Sequence, residues 1–170
     1  MNDRRNFLRL ASSAAIPAAA AIVSAGVARA DDGGAKELLG AWSTIHTLGF
    51  PPGSFREFLS FADGGALHET NSFLHTASNL DFSMFGLPNV LNAADGVGSW
   101  ERVSNGLFQV AFRKMLFDGS RQNFGDLHVT GTLRTYGGRL YANWHIEVVD
   151  VFDKVVADFG QATSEGAPIR

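Results

Sequence analysis

The feature that most constrains this chain is a two-residue alternation of apolar and polar side chains, interrupted at short intervals by glycine-rich turns. It is clearest between Leu127 and Val149. With Gly137-Gly138 as a two-residue turn, one face of a hairpin pairs Leu127 with Val148, Val129 with Ile146, Gly131 with Trp144 and Leu133 with Ala142. The other face pairs His128 with Glu147, Thr130 with His145, Thr132 with Asn143 and Arg134 with Tyr141. Segregation this clean predicts one packed face and one wet face. Gly131 then lies under Trp144, where a side chain would collide.

The same pattern predicts a first strand from Gly40 to about Leu48, entered by a short helical turn at Ala35 to Leu39. Strands at Phe55 to Phe61 and Ala66 to His75 are joined through Asp63-Gly64-Gly65. Asn105-Gly106 is expected to supply the pair of positive φ angles of a two-residue turn, setting Trp100 opposite Ala111 and Val103 opposite Phe108. A last strand runs from Val155 to Thr163. Between Thr76 and Gly98 the alternation is lost, while Leu80, Phe82, Met84, Phe85, Leu87, Val90 and Leu91 make the stretch too apolar to be left in water. Two readings of it stay open: a flap over the mouth of a barrel, and a short core helix at Asn89 to Ala93. Consecutive hairpins of this kind form a barrel or a sandwich, and closure removes exposed strand edges. The expected fold class is all-β, an antiparallel up-and-down β-barrel of about seven or eight strands.

At the N-terminus, Asp3-Arg4-Arg5-Asn6-Phe7-Leu8-Arg9 resembles the twin-arginine signal of bacteria. An alanine-rich stretch from Leu10 to Val27 follows and ends in Ala28-Arg29-Ala30, the small-x-small form that signal peptidase accepts. The expectation is a cleaved signal peptide over 1–30 and a single β-barrel domain over 31–170, in the periplasm or secreted. The apolar run is short and is broken by Ser12, Ser13, Pro17, Ser24 and Gly26, which argues against a stable membrane anchor after cleavage.

Cleavage would remove four of the fourteen bases and one of the seventeen acids, moving the net charge from −3 to −6. An acidic chain with no basic run is a poor partner for nucleic acid. The absence of cysteine excludes disulfides, thiolate metal ligands and a cysteine nucleophile. No Gly-x-Ser-x-Gly elbow, phosphate loop, His-Glu-x-x-His or calcium loop occurs, so nucleophilic hydrolysis is disfavoured.

Gly40-Ala41-Trp42, after a helical entry, resembles the Gly-x-Trp signature of lipocalins and their calycin relatives. Gly98-Ser99-Trp100, Gly131-Thr132 and Ala157-Asp158-Phe159-Gly160 are similar to small bacterial lipocalin-like proteins and to allene oxide cyclase barrels. The resemblance implies a lipocalin-like barrel that binds a small apolar or aromatic molecule. Its alternative implication is a cofactor-free isomerase, cyclase or lyase of allene oxide cyclase type acting on a small hydrophobic substrate.

Thirteen phenylalanines follow Ala30, which suits an apolar guest or, equally, a filled core. The expected ligand-binding residues are Trp42, Phe55, Leu59, Phe61, Phe73, Phe82, Phe85, Trp100, Phe112 and Trp144, with Trp42 and Trp144 closing one end. The expected catalytic residues are Glu57, Glu69 and Asn71. A three-residue loop at 63–65 sets Phe61 opposite Leu67, Leu59 opposite Glu69, Glu57 opposite Asn71 and Phe55 opposite Phe73, placing three polar groups on a mostly apolar face. Carboxylates buried there would have raised pKa values suited to acid–base work. A register shifted by one residue would send all three to solvent.

A second cluster, His128 across from Glu147 with His145 diagonal to both, could orient an imidazole or hold zinc; the simpler reading leaves it on the outer face, where it could line a homo-oligomer interface. His46, His68 and His75 read as scattered surface histidines. No cofactor and no resident metal are expected, and the expected partner is a small hydrophobic molecule.

Overall fold

The computed structural model describes residues 36–49, 52–72, 83, 86–88 and 92–170. The segment read as a signal peptide, Phe73, His75, Phe82 and Phe85 lie outside the described residues, as does most of the stretch read as a flap or helix.

Among the described residues nine strands follow one another: β1 Gly40–Leu48, β2 Gly53–Phe61, β3 Ala66–Asn71, β4 Asn92–Ala93, β5 Gly96–Ser104, β6 Leu107–Phe117, β7 Asn123–Tyr136, β8 Arg139–Asp150 and β9 Val155–Pro168. Eight of them close into an antiparallel ring in the order β1-β2-β3-β5-β6-β7-β8-β9, with β9 returning to β1. The two-residue β4 lies on β6 beyond the end of β5. The fold is the expected up-and-down barrel. Closure satisfies the backbone groups that an open sheet would leave unpaired at its edges.

The register read from the alternation holds in two of the three hairpins for which it was read. Leu127 faces Val148, Gly131 faces Trp144 and Leu133 faces Ala142. A Cβ on Gly131 would stand 2.6 Å from the Trp144 ring and closer still to the Asn143 carbonyl oxygen. Gly137 and Gly138 have φ of 60° and 73°, the paired left-handed conformation of a two-residue hairpin turn. On β2 and β3, Leu59 faces Glu69 and Glu57 faces Asn71, so the unshifted register is the real one.

The β5–β6 hairpin departs from expectation. Trp100 faces Val110, and Phe108 faces Arg102. Only Gly106 of its two turn residues has positive φ, and the exposed Val103 is left without a partner in a bulge. A turn with one left-handed residue takes up the extra residue in the strand instead. The strand also begins at Gly96 rather than after Gly98, and Asn92–Ala93 is extended, which excludes a helix at those two residues.

The strand ends define two ends of the barrel. One carries the 62–65, 105–106 and 137–138 turns and the start of β1. There Trp42 Nε1–H donates to the Leu38 carbonyl at 2.8 Å, and Trp100 Nε1–H donates to the Ala62 carbonyl at 3.2 Å. The Trp100 ring meets Phe61 and Phe108 edge-on, with centroids 6.3 and 5.7 Å away. Trp42, Leu38, Leu133 and Leu140 complete this plug. Trp144 stands midway along β8 rather than beside Trp42. The phenylalanines divide: Phe61, Phe108, Phe112 and Phe159 are buried, whereas Phe58 and Phe152 face outward.

Candidate functional site

Beyond the aromatic plug, the inward positions turn polar. Thr44 and His46 on β1, Glu57 on β2, Glu69 and Asn71 on β3, Lys114 on β6 and Ser164 on β9 are all buried. Each occupies the inward phase of its strand: His46 follows Trp42 and Thr44 at two-residue steps, and Lys114 follows Phe108, Val110 and Phe112. The histidine expected at the surface is 2 % exposed, and Lys114 is 1 % exposed.

His46 is held on one side and open on the other. Its Nδ1 lies 3.1 Å from Ser164 Oγ and 3.5 Å from Glu57 Oε2. Ser164 Oγ accepts the Trp144 indole N–H at 2.8 Å, and the Thr44 hydroxyl donates to Glu57 Oε2 at 3.1 Å. The Ser164 hydroxyl donates to Glu57 Oε2 at 3.5 Å, so its oxygen accepts from His46, which assigns the N–H to Nδ1. Phe55 stacks on the imidazole at 4.7 Å and 12°, and Trp144 lies nearly parallel to it at 6.4 Å. Nε2 is left buried and without a hydrogen-bond partner among the described residues. A carboxylate behind Nδ1 and a free Nε2 are the arrangement of an oriented general base.

The second group is an ion pair. Lys114 Nζ lies 2.5 Å from Glu69 Oε2, and Asn71 Nδ2 donates to Glu69 Oε1 at 2.7 Å. Gly96 makes this meeting possible. It sits on β5 between the two strands, facing Glu69, and a Cβ there would stand 2.7 Å from the Glu69 carboxylate and 2.9 Å from Phe112. Burial pushes the Glu69 carboxyl above its usual range; Lys114 pulls it back down, and the negative charge of nearby Glu57 raises it again. Two acids, a lysine and an imidazole therefore share one buried interior.

Among the residues expected to act, Glu57, Glu69 and Asn71 come together inside the barrel, and Phe55, Phe112 and Trp144 line the same region. Phe112 meets Trp144 edge-on at 5.8 Å. Trp42, Phe61 and Trp100 belong to the plug, and Leu59 lies between Trp42 and Glu69 in register. His46, Lys114, Thr44 and Ser164 were missed as site residues. The signal for them was the phase of the alternation, which continues through polar residues.

The His128, His145 and Glu147 cluster lies on the outer wall of β7 and β8, partly exposed. His145 Nε2 is 3.3 Å from Glu147 Oε1, and His128 Nδ1 is 4.0 Å from Glu147 Oε2. Partial burial and the Arg113 guanidinium push the His128 imidazole below its usual range, against the pull of Glu147, Asp153 and Asp126. His68 is exposed on β3, 3.7 Å from Asp95. No protein family, curated protein or solved structure was found to match the chain.

Proposed function

We propose that the chain is exported by the twin-arginine route and that its barrel binds a small, largely hydrophobic molecule and moves a proton on it, as a cofactor-free isomerase, cyclase or lyase of allene oxide cyclase type. The observation that carries this reading is the free Nε2 of His46, buried against Phe55 and Trp144 while Glu57 and Ser164 hold Nδ1. His46 acts as the base, with Glu57 stabilising the imidazolium that forms. The Glu69–Lys114 pair stabilises charge that develops at the other end of the substrate. Ionisable groups gathered in an apolar interior are costly to stability, which points to a functional rather than a structural reason for keeping them.

A second reading is a carrier for a small apolar or aromatic molecule. It is favoured by the mutual neutralisation of Glu69 and Lys114, which leaves that part of the interior without net charge. Native mass spectrometry of protein purified from its own host comes first. A bound small molecule that leaves on denaturation identifies the ligand class. His46→Gln then separates the readings: an enzyme loses turnover and keeps binding, whereas a carrier keeps its affinity and shows no turnover to lose. Unchanged turnover in the His46→Gln protein would overturn the assignment of His46 as base.

A further inference from the structure

The outer wall of the barrel carries a second constellation that the interior chemistry does not use. His145 and Glu147 project from β8, and Asp158 projects from β9. His145 Nε2 lies 3.3 Å from Glu147 Oε1 and 3.6 Å from Asp158 Oδ1, and one donor atom from each of the three residues falls within 4.8 Å of the others. Around a zinc ion with bonds of about 2.1 Å, neighbouring ligand atoms of a tetrahedron are about 3.4 Å apart. The two imidazole-to-carboxylate separations already stand near that edge length.

The backbone builds this proximity. Ile146 pairs with Gly160 and Glu147 pairs with Asp158, so Phe159 is an extra residue in β9. The bulge turns Phe159 into the core and Asp158 outward, beside Glu147; an unbroken register would have set Phe159 there. Gly160, with φ of 72°, accommodates the kink, and its N–H donates to Asp158 Oδ1 at 2.7 Å. On the far side of the imidazole, the Gln161 amide nitrogen Nε2 lies 3.2 Å from His145 Nδ1. With Nε2 on a metal, Nδ1 would carry the proton, and a half-turn of the Gln161 amide would replace its nitrogen there by its oxygen, the outer support that metal-bound histidines use.

We propose that His145, Glu147 and Asp158 bind a divalent transition-metal ion of the zinc type. One imidazole nitrogen with two carboxylate oxygens suits zinc better than magnesium or calcium, which take oxygen alone. The side chains are partly exposed, so water reaches the fourth position, and His128 stands behind the second oxygen of Glu147. Because its ligands come from two strands, the ion staples β8 to β9 at the bulge.

The test is titration of untagged, chelator-treated protein with zinc ion by calorimetry, and with cobalt ion followed by visible absorption. Saturable binding of a single ion with the intense bands of tetrahedral cobalt is the expected result. His145→Ala and the near-isosteric Asp158→Asn should each weaken zinc binding at least about 100-fold, and Gln161→Leu about tenfold. His68→Ala, an exposed histidine beside an aspartate on β3, should leave it unchanged. Circular dichroism checks that each variant is folded. No saturable binding, binding that survives Asp158→Asn, or binding lost equally in His68→Ala would overturn the proposal.

Discussion

The two halves of one barrel interior solve the packing problem in opposite ways. The end that holds Trp42, Phe61, Trp100, Phe108, Leu133 and Leu140 is an aromatic and aliphatic plug whose polar atoms, the two indole N–H groups, donate to backbone carbonyls. The half beyond it, on the same strands and in the same inward phase, buries a lysine, two glutamates and a histidine. The first half gains stability from apolar burial without specifying a partner. The second carries desolvation costs that mutual pairing only offsets. A fold that needed only to be stable would have extended the plug.

Lys114→Met breaks the comparison hardest. It strands Glu69 without its counter-charge and should cost about 3–5 kcal/mol in denaturant unfolding, whereas the double variant Glu69→Gln with Lys114→Met should recover most of that loss. A double-mutant cycle showing no coupling between the two positions would remove the ion pair from the account. Gly96→Ala tests the gap through which the pair meets. A Cβ so close to the Glu69 carboxylate and to Phe112 should cost about 1–3 kcal/mol and shift the Lys114 resonances. In the plug, the volume-conserving Leu133→Met should cost less than about 1.5 kcal/mol, since shape rather than charge is at stake there.

The pH dependence sharpens the same contrast. Glu69 has a folded-state pKa raised above the ordinary 4.5. Its contribution is therefore full below that value and is lost as pH rises through the folded pKa, where the unfolded chain has already ionised. Melting temperature should fall more steeply with rising pH above 4.5 in the native protein than in the Glu69→Gln, Lys114→Met double variant. Identical slopes would place the titration elsewhere. The smallest effect belongs to the outer surface: Arg139→Ala, which removes a half-exposed partner of Glu165 on β9, should change stability by less than about 1 kcal/mol.

Much of the fold was legible because alternation and turn chemistry are local. The β7–β8 pairing followed from Gly137-Gly138 alone, whereas the 63–65 loop left two registers open for Glu57, Glu69 and Asn71, and the folded pairing took the one that turns them inward. The β5–β6 register was lost by one residue because Asn105 does not take the left-handed conformation that an Asn-Gly pair usually signals, and Val103 bulges to compensate. His46 and Lys114 escaped notice for a different reason. Polar residues read as outward when judged by type, while the two-residue phase through Trp42, Thr44 and His46, and through Phe112 and Lys114, carried them in.

What the sequence by itself determined is the antiparallel β class and the hairpins with strong turn signals, since both depend on residues near one another along the chain. Only the tertiary structure decided that Gly96 opens a gap for Lys114 to reach Glu69, that Ser164 returns from the last strand to hold His46, and that a bulge at Phe159 aims Asp158 at Glu147. Those meetings are set by barrel closure, which brings the last strand against the first and sets strands two places apart facing across a side-chain-free glycine. Geometry of that kind is a property of the ring and has no local signature.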